Sequence, residues 1–378
     1  MKCDFLIVGA GLFGSVLAER IANDLGLEVV IIDKRPHVGG NCYSETDHDT
    51  AIECHQYGTH IFHTDSLKVW QYINRFTAFN SYHHQVLTMH KKKLYQMPIN
   101  LETINSFYQL NLKPQEARDF ILKKIKKAGI VQPKNLEEKA ISLIGEQLYE
   151  AFIRGYTIKQ WGKDPKELPA NIITRLPVRY NYNETYFRNS RWEGLPLEGY
   201  TAIFKKLLNS EKIKIRCNCD YFKARKEFQV RYKTIYTGPV DQFFDYQYGA
   251  LQWRSLKFES KRFDLEDFQG TSVINYADED TPFSRTHEFR HLHPERSYRN
   301  DKTIVAYETP VSDAREPYYP IASASNRELY QKYSKKLAAE KNLLVGGRLG
   351  SYAYIDMDQT ILAALGCYKD KIYPAVRG

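Results

Sequence analysis

The stretch that decides the fold is Phe5-Leu6-Ile7-Val8-Gly9-Ala10-Gly11-Leu12-Phe13-Gly14, an apolar run that leads into a G-x-G-x-x-G motif. The pattern predicts a strand at 5–8, a helix at 15–25 and a second strand at 28–32. A unit of this kind brings bare glycine backbone and a helix N-terminus to a pyrophosphate. Asp33 ends the second strand, where a carboxylate can hold a ribose hydroxyl. A glycine turn without a ligand is the alternative, but the complete context favours a Rossmann-type dinucleotide site.

Two further glycine clusters favour FAD over NAD. The first is the pair Gly39-Gly40 in the run Lys34-Arg35-Pro36-His37-Val38-Gly39-Gly40-Asn41, just past the acidic residue. FAD lies extended along its domain and needs this second close approach of bare backbone, whereas a nicotinamide enzyme does not. The second cluster, Gly346-Gly347-Arg348-Leu349-Gly350, predicts a late turn that opens a helix, whose dipole suits the negative charge of a reduced flavin.

Composition narrows the classes of partner. The chain of 378 residues carries a formal net charge of +9, which admits nucleic acid, an anionic membrane or an anionic small molecule. Its basic runs come without a nucleic-acid motif and are interpreted as solvated faces. No apolar run is long enough to span a membrane, and the first one is too short for a signal peptide, so we expect a cytoplasmic protein. The six cysteines lack the spacing of metal ligands and are expected to be reduced thiols, with no metal site.

The order of patterns along the chain predicts interleaved domains. Helix-like apolar spacing occupies 100–160, and a loop-rich, Pro- and Gly-punctuated segment follows at 165–200. Strand patterns are found at 212–216, 229–236, 255–258, 270–276 and 303–308. A second strand–glycine–helix unit at 343–366 predicts that the chain returns to complete the nucleotide domain.

Six stretches together resemble the bacterial UDP-galactopyranose mutases, and the likeness covers nearly the whole chain. The combination is far more specific than the glycine motif alone. The stretches are Gly58-Thr59-His60-Ile61-Phe62-His63-Thr64, Gly155-Tyr156-Thr157-Ile158-Lys159-Gln160-Trp161-Gly162, Arg175-Leu176-Pro177-Val178-Arg179, Tyr236-Thr237-Gly238-Pro239-Val240-Asp241, Pro317-Tyr318-Tyr319-Pro320 and Gly347-Arg348-Leu349-Gly350-Ser351-Tyr352-Ala353-Tyr354-Ile355-Asp356-Met357-Asp358.

The resemblance implies a flavin-dependent isomerase that interconverts UDP-galactopyranose and UDP-galactofuranose without net redox change. N5 of reduced FAD attacks the anomeric carbon and displaces UDP, after which the sugar ring opens, recloses through another hydroxyl and regains UDP. The resemblance further implies that NAD(P)H or another reductant keeps the flavin reduced, that the protein is a homodimer and that the product serves a cell-surface polysaccharide. The implied α/β fold has a Rossmann-type FAD-binding domain (1–75, 205–245 and 340–378), an inserted helical domain with a substrate lid (100–200) and an antiparallel β-sheet domain (76–99 and 246–339).

The resemblance also assigns roles to residues. It makes Arg175, Arg285 and His63 catalytic, with Arg175 on the lid and His63 beside the flavin. The substrate-binding residues are Phe152, Tyr156, Trp161, Arg175, Tyr186, Phe187, Asn275, Arg285, Tyr319 and Tyr354. The FAD-binding residues, including those of the glycine motifs, are Gly9, Gly11, Phe13, Gly14, Asp33, Lys34, Gly40, Asn41, His60, Arg348, Asp356 and Met357.

The resemblance assigns the diphosphate of UDP to two arginines and three tyrosines, which are Arg175, Arg285, Tyr186, Tyr319 and Tyr354. Residue chemistry supports this, since a UDP leaving group needs cations and hydroxyl donors. The aromatic residues Phe152, Tyr156 and Phe187 suit a flat uracil, although large apolar side chains are as often core. For His60 a structural hydrogen bond and a flavin contact are equally compatible with the sequence.

The alternatives belong to other functional classes. An FAD-dependent oxidoreductase of the amine-oxidase type shares the two N-terminal glycine motifs, but a set of arginines and tyrosines suited to a diphosphate has no purpose in an amine pocket. A binding protein with structural FAD would not need that set. The stretch Asn189-Ser190-Arg191-Trp192-Glu193-Gly194 departs from the family pattern, in which an acidic residue is followed by Tyr-Gln-Gly.

Overall fold

A computed structural model of the chain describes residues 1–173, 178–187, 190–312, 316–321 and 323–377. Its strands are β1 (Lys2–Val8), β2 (Val29–Ile32), β3 (Ser44–Thr46), β4 (Glu53–His55), β5 (Phe62–Thr64), β6 (Val86–His90), β7 (Lys93–Met97), β8 (Trp192–Gly194), β9 (Ile213–Arg216), β10 (Gln229–Tyr236), β11 (Trp253–Phe263), β12 (Val273–Tyr276), β13 (Arg285–Glu288), β14 (Thr303–Val311), β15 (Tyr319–Pro320) and β16 (Leu343–Val345).

The α-helices are α1 (Leu12–Leu25), α2 (Leu67–Ile73), α3 (Leu101–Tyr108), α4 (Pro114–Ala128), α5 (Leu136–Ile144), α6 (Glu146–Tyr149), α7 (Gly155–Trp161), α8 (Tyr200–Leu207), α9 (Tyr221–Ala224), α10 (Val240–Phe243), α11 (Ala324–Ala338), α12 (Gly347–Gly350), α13 (Met357–Cys367) and α14 (Tyr373–Arg377). A π-helical turn, Glu150–Arg154, joins α6 to α7. None of the described helices has both the length and the apolar character that a membrane crossing requires.

Five strands form a parallel sheet in the order β16–β10–β1–β2–β9. The predicted strand–helix–strand unit is confirmed, with β1 beginning at Lys2 and α1 at Leu12. Strands β1 and β2 are mostly apolar because their side chains are buried on both faces of the sheet. In a parallel sheet the carboxyl ends of all strands meet at one edge. Gly9, Asp33, Thr237 and Gly346, which follow four of these strands, therefore arrive at the same edge.

Seven strands form a second sheet in the order β15–β11–β14–β13–β12–β6–β7. The predicted antiparallel sheet is confirmed except for β12 and β6, which pair in parallel. Its register places Asn275 opposite Arg285, and Arg285 opposite Glu308. Side chains from strands distant in sequence are thereby brought into one row.

Helices α3 to α7 pack around a separate apolar core that contains Ile104, Ile121, Ile144 and Leu148. All six cysteines are free thiols. The division of the chain into an FAD-binding domain, a helical domain and a sheet domain, at the boundaries given above, stays a prediction.

Candidate functional site

A cavity of about 760 Å³ lies at the carboxyl edge of the parallel sheet. Every predicted FAD-binding residue except Asp356 lines this cavity, and Asp356 is the N-cap of α13, next to the lining residue Met357. The lining also includes residues that the sequence did not single out for this site: Cys219, Asp220, Tyr221, Phe222, Thr237 and Gly238. The position of Thr237 and Gly238 after a predicted strand was the available signal, because parallel strands end at one edge.

Glycine is required where two backbone segments approach each other beside the cavity. Gly9 has φ +105°, and a Cβ there would lie 1.9 Å from Thr237 Oγ1. Gly40 has φ +56°, and its Cβ would lie 3.0 Å from the Gly11 Cα. These positions therefore form a cradle of bare backbone that a side chain would fill. Such a cradle, at the edge of a long cavity, fits the pyrophosphate of FAD.

The carboxylate of Asp33 joins the first glycine segment to the residues that follow β2. Its Oδ2 accepts a hydrogen bond from Ala10 N at 2.8 Å, and its Oδ1 accepts one from Arg35 N at 2.9 Å. Each carboxylate oxygen has two acceptor sites, so the group retains capacity for a ribose hydroxyl. Arg35 in turn donates to Asn41 Oδ1 at 2.9 Å. The residues after β2 thus form one hydrogen-bonded wall of the cavity.

Arg285 is the centre of a second group of predicted residues. Its Nε donates to Asn275 Oδ1 at 3.1 Å, and its guanidinium carbon lies 5.6 Å from the centre of the Tyr156 ring. The Tyr156 hydroxyl is buried and has no hydrogen-bond partner among the described residues. A cation whose orientation is fixed on one side, next to an unused hydroxyl, is suited to an anionic ligand.

Glu308 lies behind Arg285 and was not predicted from the sequence. It is 2% exposed, and its Oε1 lies 3.7 Å from Arg285 Nη1. Its other oxygen is 3.2 Å from His287 Nε2. Burial alone would raise the pKa of Glu308, but Arg285 and His287 outweigh it and lower the pKa to about 2. The group is therefore a permanent anion at neutral pH.

His287 extends this network toward the cofactor cavity. A ring that carries its proton on Nε2 donates to Glu308 and accepts from Thr59 Oγ1, which lies 2.7 Å from Nδ1. His60, which follows Thr59 in the sequence, lines the cavity, and its Nδ1 lies 2.6 Å from Gly58 O. The position of His60 is thus compatible both with a structural hydrogen bond and with a flavin contact. Burial, reinforced by Arg348, lowers the pKa of His60 to about 4, so its ring is neutral.

Arg348 connects the cavity to a pair of predicted tyrosines. Its guanidinium carbon lies 5.7 Å from the ring centre of Tyr319 and 5.1 Å from that of Tyr354. The two rings stack with centres 5.5 Å apart and planes inclined by 26°. Burial raises the pKa of Tyr319, so its phenol stays protonated and can donate a hydrogen bond. One arginine therefore borders both the cavity and the tyrosine pair.

A third group of predicted residues consists of stacked rings. His63 stacks on Phe187 with centres 3.7 Å apart, and its Nδ1 lies 3.0 Å from Ser190 Oγ. The edge of Tyr186 meets Phe187 at 5.1 Å, and Tyr186 is 38% exposed. His84 packs against both rings. Aromatic faces next to an exposed phenol are suited to a planar ligand.

Two predicted substrate residues lie in the helical core, and a third lies outside the residues that the structure describes. Phe152 is buried in the helical core, 5.0 Å from the Tyr95 ring and 5.3 Å from the Phe107 ring. Trp161 packs on the edge of the same core at the end of α7. These are the contacts of core side chains, and the substrate roles of both residues stay predictions. Arg175 lies outside the described residues.

Residues 189–194 depart from the family pattern, and those that the structure describes pack against or bond to other parts of the chain. Trp192 stacks on Trp70 with ring centres 5.5 Å apart. Glu193 pairs with His63 between β8 and β5, and its carboxylate accepts a hydrogen bond from His84 N at 2.5 Å. Asn189 is not among the described residues.

Comparison with known sequences gives matches over nearly the whole chain. Residues 151–354 match the family described as UDP-galactopyranose mutase, and residues 7–76 match the NAD(P)-binding Rossmann-like domain. The chain is 41% identical to a probable UDP-galactopyranose mutase of Klebsiella pneumoniae, with 96% of this chain and 93% of that protein covered. It is 38% identical to a dTDP-fucopyranose mutase of Escherichia coli, with 96% of each covered.

Comparison with solved structures shows the fold. A reduced UDP-galactopyranose mutase superposes with a TM-score of 0.72 at 15% identity, covering 100% of this chain and 98% of that one. A putative protoporphyrinogen oxidase from Exiguobacterium superposes with a TM-score of 0.64 at 12% identity, covering 100% and 99%. Both likenesses extend over the full architecture, and their low identities restrict them to the fold.

Proposed function

The chain belongs to the UDP-galactopyranose mutase family, and from this premise we propose that it interconverts UDP-galactopyranose and UDP-galactofuranose with FAD as its cofactor. The main support from the geometry is the position of Arg348. This residue lines the dinucleotide cavity and lies over the Tyr319 and Tyr354 rings. A ligand held by the tyrosines would therefore have its reacting end next to the cofactor.

The residues that would hold FAD are those of the glycine cradle and of the cavity wall, chiefly Gly9, Gly40, Asp33 and Arg348. FAD in its reduced form would supply, through N5, the nucleophile for the anomeric carbon. His60 is neutral beside the cavity, because burial and Arg348 lower its pKa to about 4. Arg348 also lines the cavity and supplies a positive charge, which favours an electron-rich ring.

Arg285 would bind the diphosphate of the substrate, together with Arg175 and the phenols of Tyr186, Tyr319 and Tyr354. UDP departs as an anion, so a fixed cation and hydroxyl donors stabilise the charge that develops on its oxygens. Each hydrogen bond to a charged group contributes about 1.5–3 kcal/mol. Glu308 keeps the guanidinium oriented before the ligand arrives, and this preorganisation reduces the cost of reordering during the reaction.

The stacked rings of Phe187 and His63, with Tyr186 at their edge, would border the nucleotide or the flavin. Asn275 and Trp161 are proposed to border the sugar, and Phe152 and Tyr156 to approach the uracil. His63 is proposed to act beside the flavin.

Several parts of the proposal rest on family membership alone. They are reduction of the flavin by NAD(P)H or another donor and assembly as a homodimer. The proposed cytoplasmic location rests on the apolar runs of the sequence.

A dTDP-sugar is the second candidate substrate. The observation in its favour is the relative named dTDP-fucopyranose mutase, which is 38% identical over 96% of both chains. That identity is close to the 41% shared with the probable UDP-galactopyranose mutase. Overall similarity therefore does not separate a UDP-hexose from a dTDP-6-deoxyhexose, and both must be assayed.

The test is a direct assay on the purified yellow protein. Reduced with dithionite, it should convert UDP-galactofuranose into UDP-galactopyranose, followed by chromatography, while the oxidised protein should not. Parallel assays with dTDP-fucofuranose decide between the candidates through the ratio of the two kcat/KM values. A colourless protein that takes up no flavin, or bleaching of the flavin by an amine without isomerisation, would reject the mutase function.

A further inference from the structure

The ammonium group of Lys159, on α7, is surrounded by backbone carbonyl oxygens of a single loop, residues 276–283. Nζ lies 2.7 Å from the carbonyls of Tyr276 and Asp278, 3.1 Å from that of Phe283 and 3.2 Å from that of Thr281. An ammonium has three donors, so four convergent acceptors use it fully. Without this group the four carbonyls would face one another, in the manner of an unfilled cation site.

Other contacts press the same loop against the start of α7. A Cβ on Gly155 would lie 2.4 Å from Ala277 O, so only glycine permits this approach. Arg154 forms an ion pair with Glu279. The loop and the helix are therefore joined at the first turn of α7 as well as at Lys159.

The opposite end of α7 is held by Arg254, which is 4% exposed. Its Nε donates to Gln160 O at 2.9 Å and its Nη2 to Lys159 O at 3.1 Å. Gly162 leaves room for the guanidinium, since a Cβ there would lie 2.9 Å from Arg254 Nη1. A buried cation at a helix C-terminus satisfies carbonyls that lack intrahelical partners. Two basic residues thus fix the helix on two sides.

The loop and the helix carry different parts of the proposed substrate site. Asn275 precedes the loop and Arg285 follows it, while Tyr156 projects from α7 one turn before Lys159. The Tyr156 ring faces the Arg285 guanidinium at 5.6 Å. The separation between these two groups therefore depends on how the loop is attached to the helix.

We propose that Lys159 is a positioning residue for the mutase reaction, whose ammonium clamps the 276–283 loop to α7 and thereby fixes Arg285 and Asn275 opposite Tyr156. The inference rests on the proposed function for its consequence in turnover, but the clamp itself can be measured without substrate. Burial lowers the pKa of Lys159 to about 8, and the nearby Asp278, Asp280 and Glu279 oppose this shift. The burial of a charge here is consistent with a specific role rather than a solvated surface lysine.

The experiment compares Lys159→Met with Lys166→Met in the FAD-loaded protein. Lys166 follows α7 closely, and its side chain is 66% exposed, 3.7 Å from Glu137. For Lys159→Met we expect faster hydrogen exchange at the amides of 277–284, weaker binding of UDP and a loss of about 100-fold in kcat/KM, as for a reacting group displaced by about 1 Å. Lys166→Met should match the wild type in all three measurements, and both variants should retain FAD.

A second variant separates positioning from folding. In Lys159→Ala, propylammonium should refill the site, slow the exchange at 277–284 and restore part of kcat/KM, whereas tetramethylammonium, which has no N–H donor, should not. Unchanged exchange in Lys159→Met would overturn the clamp. So would loss of folding in Lys159→Met together with a Lys159→Ala variant that propylammonium does not rescue. If the wild type binds no UDP and shows no mutase activity while the exchange result holds, the proposed function fails and the clamp stands.

Discussion

Arg285 and Glu308 lie opposite each other on β13 and β14, with Nη1 of the arginine 3.7 Å from Oε1 of the glutamate. The separation exceeds that of a hydrogen bond, so the attraction orients the guanidinium without occupying its N–H groups. Glu308 is itself held by His287. The arginine is therefore preorganised and keeps donors for a ligand.

Glu308→Gln tests this relationship by removing the charge while keeping the shape. We expect kcat/KM for UDP-galactofuranose to fall about 10- to 100-fold, because the guanidinium loses the charged partner that orients it. The FAD content should not change, as Glu308 does not line the cofactor cavity. Glu259→Gln is the matched control, since Glu259 pairs with Lys257 on an exposed part of β11. Equal activity of the two variants would contradict the assigned role.

The stability of the protein in acid should also depend on Glu308. Its pKa is lowered from 4.5 to about 2 in the folded protein. The unfolded chain therefore takes up the proton first as the pH falls, and the stabilisation, complete above pH 4.5, is lost between about 4.5 and 2. Urea unfolding at pH 7 and pH 3 should show a smaller loss of unfolding free energy for Glu308→Gln than for the wild type. An equal loss in both would show that another group controls this window.

Arg285→Ala should abolish most turnover while FAD stays bound. Losing hydrogen bonds to the diphosphate should lower kcat/KM by at least about 100-fold and weaken UDP binding, since each such bond contributes about 1.5–3 kcal/mol. Arg262→Ala serves as the control, because Arg262 lies on β11 of the same sheet, is exposed and pairs with Asp47. Absorbance at 450 nm gives the flavin content, and titration calorimetry gives the UDP affinity. Full activity of Arg285→Ala would reject its role.

The nucleotide domain was predictable because its signals are local. An apolar run, glycines and a second apolar run place β1, α1 and β2 within 33 residues, and the carboxyl-edge rule places Asp33 beside the glycines. The strand at 229–236 was predicted with the bounds observed, and the predicted strand–glycine–helix unit at 343–366 begins with β16. For such elements, periodicity and breakers carry enough information.

The group of residues around Arg285 was only partly predictable, because it depends on the register between strands that are distant in sequence. β13 was missed, since its residues Thr286, His287 and Glu288 are polar yet buried, and no apolar alternation marks it. The role of Glu308 follows from the pairing of β13 and β14, and that of Lys159 from the carbonyls of the 276–283 loop. No local sequence pattern predicts either contact. The family resemblance supplied Arg285 and the tyrosines, but not the groups that hold them in place.

Tyr319→Phe should reduce turnover modestly. The substitution removes one hydroxyl donor and preserves the ring that stacks on Tyr354 and lies under Arg348. We expect kcat/KM to fall about tenfold, the effect of one hydrogen bond to a charged ligand. Tyr330→Phe is the control, because Tyr330 stacks on Tyr352 away from the lining of the cavity. Steady-state kinetics of the two variants under dithionite checks the prediction, and identical values would remove Tyr319 from the diphosphate site.

Gly40→Ala should lower the affinity for FAD through the backbone cradle. Gly40 has φ +56°, and an added Cβ would lie 3.0 Å from the Gly11 Cα, so the two glycine segments must move apart. Gly26→Ala is a matched control for the strain of the left-handed conformation, since Gly26 has φ +68° with nothing within 4 Å of its Cβ. Both variants should lose about 1–2 kcal/mol of stability from that conformation. Only Gly40→Ala should raise the FAD dissociation constant, by more than about tenfold. Fluorescence titration of the apo-proteins with FAD measures the difference, and equal affinities in the two variants would mean that the approach of Gly11 to Gly40 does not form the cofactor site.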